Sequence, residues 1–259
     1  MIGSLFVTGP AGTGKSTFCG TLKEWLQEQQ MESATVNLDP GADYVPYEVD
    51  VDIRDYISLS TIMQDYSLGP NGAQVVAADL MVEFVPQIKS LLENFQDHYI
   101  IFDTPGQVEL FTFRQGSTHL VDALTEGKAM IAYLADSVVA SSPSGFIAQK
   151  MLFGSIFYRF FKPTMFIVNK SDLITAEDNS RIMEWEQNPE KLSDDLMQEK
   201  QQIVKQYYSG IIKAFAESEL ISKIIPVSSV DRYGMEEVYS QMSNFFTGGE
   251  DTDTMYREE

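Results

Sequence analysis

The chain of 259 residues has one cysteine, and its 18 Lys and Arg are outnumbered by 38 Asp and Glu. A lone Cys19 cannot close an internal disulfide, which excludes an oxidised framework and suits a reducing, cytoplasmic setting. The formal charge of −20 repels nucleic acid and anionic lipid at long range, so neither is expected as a direct partner. No run reaches the ~18 apolar residues that a transmembrane helix needs. The apolar run Met1 to Thr8 lacks a basic flank and a cleavage site, and it reads as a strand. Internal repeats and low-complexity linkers are missing as well. The sequence therefore reads as one domain over residues 1–247 followed by an acidic tail, 248–259.

What is present is a core. Hydrophobic residues make up 44% and aromatics 12%. Near-continuous apolar runs at Ser4–Thr8, Ala34–Leu38, Tyr99–Phe102, Ala129–Ala135, Thr164–Val168 and Ile224–Val227 predict strands covered on both faces. Helical stretches separate them: Lys15–Gln30, Val75–Phe95, Ser117–Thr125, Phe146–Phe161, Leu192–Glu219 and Met235–Phe246. That alternation predicts an α/β fold with a mostly parallel sheet and helices on both faces. Two long helical insertions stand near 44–95 and 174–222. Met130, Met151, Met165 and Met235 are expected in the core, as are most of the aromatics at Phe153, Phe157, Tyr158, Phe160 and Phe161.

Gly9-Pro10-Ala11-Gly12-Thr13-Gly14-Lys15-Ser16 fits G-x-x-x-x-G-K-[ST] at every fixed position. It lies between an expected strand and an expected helix, the context that separates a P-loop from an ordinary glycine turn. An acidic chain repels a free polyphosphate, so such a site must be locally strong. Gly12, Thr13 and Gly14 let successive N–H groups point inward, where they and the helix N-terminus hold phosphates. Lys15 would reach the β and γ phosphates, the Ser16 hydroxyl would ligate magnesium, and Thr17 would approach the α-phosphate. Alone, this motif supports nucleoside triphosphate binding by a P-loop NTPase fold.

Asp103-Thr104-Pro105-Gly106-Gln107 follows the third expected strand. An Asp there faces the phosphate loop and can hold a magnesium-bound water. Gly106 leaves room for its N–H to meet a γ-phosphate, which would make the following segment a switch. Gln107 stands where a Gln orients attacking water in Ras-like proteins. Asp39 ends the second strand and offers a second carboxylate for the metal shell or for polarising water. Asp43 is a weaker outer-shell candidate, since Asp beside Pro-Gly is also a plain turn signature.

Asn169-Lys170-Ser171-Asp172 follows the fifth expected strand. Guanine presents N1–H and a 2-amino group side by side, and one carboxylate accepts from both. Adenine has an acceptor at N1, so Asp172 discriminates against it. The Lys170 stem can cover the base while its ammonium stays wet. Asn169 would tie this loop to the phosphate loop. Ser228 and Ser229 end the sixth strand, where a backbone N–H can meet the guanine O6, or where they simply form a polar strand end.

Gly69-Pro70-Asn71-Gly72, read alone, is a tight turn before a helix with Asn71 as its N-cap. Together with the motifs above and Asp52-Ile53-Arg54-Asp55, it makes the chain resemble the GPN-loop GTPases from Ile2 to Phe246. The resemblance implies a dimer-forming branch of P-loop GTPases using GTP and Mg²⁺ and releasing GDP and phosphate. It implies a homodimer in which Asn71 stands near the partner's γ-phosphate, a catalytic role shared with Lys15, Asp39 and Gln107. It also implies an assembly role toward a client complex such as RNA polymerase, with Val108–Phe111 as a client-facing segment. The short C-terminus favours the archaeal, homodimeric type. Ser229 departs from the Ala common at that position in GTPases. Two other readings stay open: a scaffold that binds nucleotide only to hold its dimer, and a P-loop phosphotransferase.

Overall fold

The computed structural model describes residues 1–198, 210–215 and 223–248. Its strands are β1 (Gly3–Thr8), β2 (Ser33–Asn37), β3 (Val51–Asp52), β4 (Tyr99–Asp103), β5 (Ala129–Asp136), β6 (Thr164–Asn169) and β7 (Ile224–Pro226). They form one sheet in the order β3-β2-β4-β1-β5-β6-β7. Every pairing between them is parallel. All residues of β1, β2 and β4 are buried; β1 and β4 accordingly read as near-continuous apolar runs, whereas β2 alternates Ser33, Thr35 and Asn37 with Ala34 and Val36 and buries both kinds.

The helices are α1 (Lys15–Glu28), α2 (Leu59–Asp65), α3 (Pro70–Leu80), α4 (Val85–Leu92), α5 (Val108–Phe111), α6 (Ser117–Thr125), α7 (Ser137–Ala140), α8 (Pro143–Phe160), α9 (Ala176–Gln187), α10 (Pro189–Gln198) and α11 (Met235–Phe246). Two apolar clusters sandwich the sheet. Phe18, Leu22 and Leu26 of α1 and Val238, Tyr239 and Met242 of α11 share one. Ala77 of α3, Ile88 of α4, Leu120 of α6, Phe153 of α8 and Trp185 of α9 belong to the other.

The strand order positions the site. β4 comes late in the chain, yet it inserts between β1 and β2. The chain thus leaves β1 for one side of the sheet and later returns to the other. Open α/β sheets bind ligands at such a reversal, outside the carboxyl ends of the strands. Register then aligns those ends, with Asp103 opposite both Val7 and Asn37.

Several expectations are corrected. The expected helix Val75–Phe95 divides into α3 and α4 around a 3₁₀ turn at Met81–Phe84. Pro86 sits in the first turn of α4. There its fixed φ and missing N–H fit a helix start and not a helix interior. α2 and α9 arise inside the insertions, each with a side-chain cap: Ser58 for α2, and a Thr175–Asp178 capping box for α9. β3 is two residues long, too short for any periodicity. The expected helix Leu192–Glu219 begins earlier, at Pro189, and most of its second half lies outside the described residues, as does the tail beyond 248. Met151 is 40% exposed, and Tyr158 and Phe161 are 53% and 74% exposed, so Met151 and Tyr158 lie on the outer side of α8 and Phe161 at its C-cap, not in the core. Among the described residues no helix is long and apolar enough to cross a membrane.

Candidate functional site

β1 ends at Thr8, and the chain turns through Gly9 and Gly12, both at positive φ, to Gly14 at φ 88, which caps α1. Only glycine takes that last conformation cheaply, and a Cβ on Gly14 would stand 2.7 Å from Asn169 Nδ2. The first turn of α1 presents N–H groups that have no acceptor within the helix, the arrangement that binds phosphates. Thr13 closes the loop with its hydroxyl on the Pro10 carbonyl at 2.9 Å. Gly12 and Thr17 are exposed at the loop's mouth, and Ser16 is half-buried.

Lys15 is buried, and its ammonium donates to the carbonyls of Gly9 at 2.9 Å, Pro10 at 3.1 Å and Gly106 at 2.8 Å. Burial lowers its pKa, while the carboxylates of Asp103 and Asp39 act in the opposite direction. The lysine therefore joins the loop after β1 to the segment after β4.

Asp103 is buried at the end of β4. Its Oδ2 accepts from the Tyr47 hydroxyl at 2.9 Å, while Oδ1 makes no hydrogen bond within ordinary geometric limits. Burial pushes its carboxyl up to about 6, against the opposing pull of the Ser16 and Tyr47 hydroxyls and Lys15. An unsatisfied buried carboxylate oxygen beside a serine hydroxyl is costly unless something cationic completes it. Among the described residues, no group of three or more His, Cys, Asp or Glu could hold a metal by itself. Mg²⁺ is commonly held by one or two carboxylates together with substrate phosphates, and the oxygens here fit that demand.

Asp39 is half-buried, just past β2. One oxygen accepts from the Gly41 N–H at 2.8 Å and the other reaches across to the Gly106 N–H at 2.9 Å. The N–H expected to meet a γ-phosphate is thus engaged by Asp39. Asn37 braces this loop, accepting from the Asp39 N–H at 3.0 Å and donating to Asp52 at 2.9 Å. Asp52 in turn is clasped by Arg54, whose other nitrogen donates to the Ala42 carbonyl. Burial works against the charge of Asp52, but the bonds from Arg54 and Asn37 outweigh it and hold the carboxyl low. Asp43 is exposed outside this network.

The loop after β6 joins the same edge. Asn169 is buried, donating to the Thr13 carbonyl at 2.8 Å and accepting from the Ser229 hydroxyl at 2.9 Å. The tie between the loop after β6 and the phosphate loop is therefore direct. Lys170 stands at φ 64 with its ammonium on Asp136 at 2.7 Å. Asp172 is exposed on the next turn. The Ser228 N–H donates to the Tyr233 carbonyl, so it is already engaged.

Other site residues are placed less as expected. Asn71 does not cap its helix: Gly69 does, and Asn71 is the second residue of α3 after Pro70. Gly69, Pro70 and Asn71 are all exposed. One turn later, a Cβ on Gly41 would meet Gln74 Nε2 at 3.0 Å and Asp39 Oδ1 at 3.3 Å, so α3 abuts the Asp39 loop. Gln107 is exposed at the N-cap of α5 and makes no capping bond through its side chain. Val108 and Phe111 turn into the core, with Phe111 stacked between Phe6 and Phe160, while Glu109 is exposed and Leu110 half-buried, so half of that expected client-facing segment is buried. Sequence reasoning passed over Tyr47, because its significance depends on a contact with Asp103.

A phosphate loop at the switch point of a parallel sheet, tied through Asn169 to the loop after β6, defines the class as P-loop nucleotide hydrolases. Residues 7–248 match the family model described as a conserved hypothetical ATP binding protein. GPN-loop GTPase 3 of Saccharomyces cerevisiae is 32% identical over 73% of this chain and 70% of its own length. GPN-loop GTPase QQT1 of Arabidopsis thaliana is 33% identical over 67% of this chain and 60% of its own. GPN-loop GTPase 1 of S. cerevisiae is 33% identical, and the chain spans 46% of it. The crystal structure of a GTPase in apo form from Pyrococcus abyssi superposes with a TM-score of 0.82 at 25% identity, covering 95% of this chain and 98% of that one. The chain belongs to the GPN-loop GTPases. The ATP in the family model's description is at odds with those names, and the acceptor chemistry of Asp172 agrees with guanine.

Proposed function

We propose that this GTPase is a Mg²⁺-dependent homodimer whose site is completed across the subunit interface, and that it acts as an assembly factor for protein complexes. RNA polymerase is the client class to which the family resemblance points. The exposed Gly69–Asn71 tip at the start of α3 carries this reading, because α3 also abuts the Asp39 loop through Gln74. A polar amide presented to solvent on a rigid helix start suits insertion into a partner's site. The buried, unpaired thiol of Cys19 agrees with a cytoplasmic protein.

In this reading Ser16 and Asp103 would hold the cation, with Asp39 as a further candidate. When bound, Mg²⁺ supplies charge neutralisation at the phosphate oxygens. Lys15 exchanges its carbonyl partners for phosphate oxygens, and the Gly106 N–H leaves Asp39 to donate to the γ-phosphate. Asp39, relieved of that bond, is then placed to accept from the attacking water. The partner's Asn71 can donate to a phosphate oxygen and accept from water at once. Asn169, Lys170 and Asp172 set the base. Gln107 is exposed and free to turn toward the water.

Mixing two inactive variants tests the shared site. Lys15→Ala protein should lose nucleotide, and Asn71→Ala protein should bind GTP but hydrolyse it slowly. Mixed, they should regain hydrolysis, because each mixed dimer pairs an intact phosphate loop with an intact Asn71. Wild-type rates from Asn71→Ala alone, or no recovery on mixing, would end the cross-subunit reading.

A further inference from the structure

We propose that Tyr47 is a positioning residue for the cation site: its hydroxyl holds one oxygen of Asp103 so that the other is presented to the metal shell. The proposal rests on the reading of Asp103 and Ser16 as the cation's protein partners. A carboxylate rotates about its last torsion and can offer either edge. Here the Tyr47 hydroxyl occupies Oδ2 at 2.9 Å, and Oδ1 is left buried without a partner. A phenol suits this task because it donates a hydrogen bond without adding charge. An Arg or Lys in its place would neutralise the carboxylate that the cation needs.

The fold holds Tyr47 from both sides. The next residue, Glu48, has its carbonyl fixed by the Lys23 ammonium at 2.9 Å and the Thr35 hydroxyl at 2.8 Å. Asp50 is fixed in turn by Lys23 at 2.7 Å and by the Thr35 N–H at 2.7 Å. Lys23 is a buried lysine on α1, the helix whose first turn carries Lys15 and Ser16. One helix thus bears both the phosphate-loop residues and the anchor for Tyr47. The Tyr47 side chain also lies against the same helix, since a Cβ on Gly20 would stand 2.9 Å from Tyr47 Cβ. Segment 47–50 is therefore bound to α1 and β2, and the hydroxyl is delivered to a fixed point.

The test is a magnesium titration of Tyr47→Phe that reads the release rate of a fluorescent GDP analogue, with no turnover required. The variant keeps the ring and loses the donor. The Mg²⁺ concentration for half-maximal slowing of release should rise ~10-fold, the usual effect of removing a group that orients a metal ligand. Release in EDTA and the melting temperature without nucleotide should stay near wild type. Tyr133→Phe removes another buried tyrosine hydroxyl, one bonded to Gln149 instead, and should leave the midpoint unchanged. An unchanged midpoint in Tyr47→Phe, or a shift matched by Tyr133→Phe, overturns the proposal. So does a variant that melts early and releases GDP fast even in EDTA, which assigns Tyr47 to packing. Wild-type release that ignores Mg²⁺ overturns the metal reading itself, and the proposal with it.

Discussion

Replacing Asp103 by Asn should stabilise the nucleotide-free protein at neutral pH while removing its Mg²⁺ response. The carboxyl is buried and pushed up to about 6 from an ordinary 3.8. Because the folded value lies above the unfolded one, the contribution to stability is fully present below 3.8 and is lost as pH rises through about 6. Each tenfold difference in proton affinity corresponds to about 1.4 kcal/mol, so the charge costs the fold ~3 kcal/mol at pH 7.5. Asn is close to Asp in shape, can accept from Tyr47, and carries no charge to desolvate. Part of the gain will be offset, because Lys15 loses a carboxylate that favours its charged form. Urea unfolding at pH 7.5 should show the variant more stable by about 1–3 kcal/mol. At pH 4 the difference should nearly vanish, since wild-type Asp103 is then protonated in the fold. GDP release from the variant should become insensitive to Mg²⁺. A variant less stable than wild type at pH 7.5, with a gap that does not change with pH, would refute the reasoning.

Two further outcomes follow from the same geometry. Asp172→Asn replaces an acceptor by a donor toward the base, so GTP affinity should fall ~100-fold, about 3 kcal/mol for two charge-assisted hydrogen bonds, while XTP binding improves; equal affinity for GTP in a displacement assay would remove Asp172 from base recognition. Gly14→Ala should cost ~1–2 kcal/mol through its left-handed backbone alone and also push Asn169 off the Thr13 carbonyl, so nucleotide binding should fail together with a drop in melting temperature; an unchanged Kd would contradict the tie between the two loops.

The parts of the fold legible in the sequence were those with a local cause. β1, β4, β5 and β6 are apolar runs buried on both sides, so burial itself wrote the pattern. The phosphate loop has its glycines where the backbone requires them. Asn169 reaches Thr13 because strand order brings β6 and the loop after β1 to one edge. What stayed hidden depends on distant partners. β3 is a pair of residues that Asn37 and Arg54 hold through Asp52. The division of α3 from α4 needed Pro86 to be weighed against an otherwise helical run. Asn71 looked like a cap because Asn commonly is one, yet Pro70 takes the first helical position and Gly69 the cap. Tyr47 meets Asp103 across 56 residues, and no local rule marks it.

Residue 106 lends its N–H to Asp39 and its carbonyl to Lys15; in the proposed reading a bound nucleotide would compete for that N–H and for the lysine. One residue, through its two flanking peptide groups, is therefore shared between an acid and a base that sit on different strands' exits. A ligand that takes only the lysine leaves the acid still gripping the glycine, and the segment leading into α5 stays where it is. A ligand that draws on both frees the glycine altogether. If the proposed function holds, the site would work as a coincidence detector: a diphosphate that satisfies Lys15 alone would leave Gly106 held by Asp39, and only a third phosphate that takes the Gly106 N–H would release it.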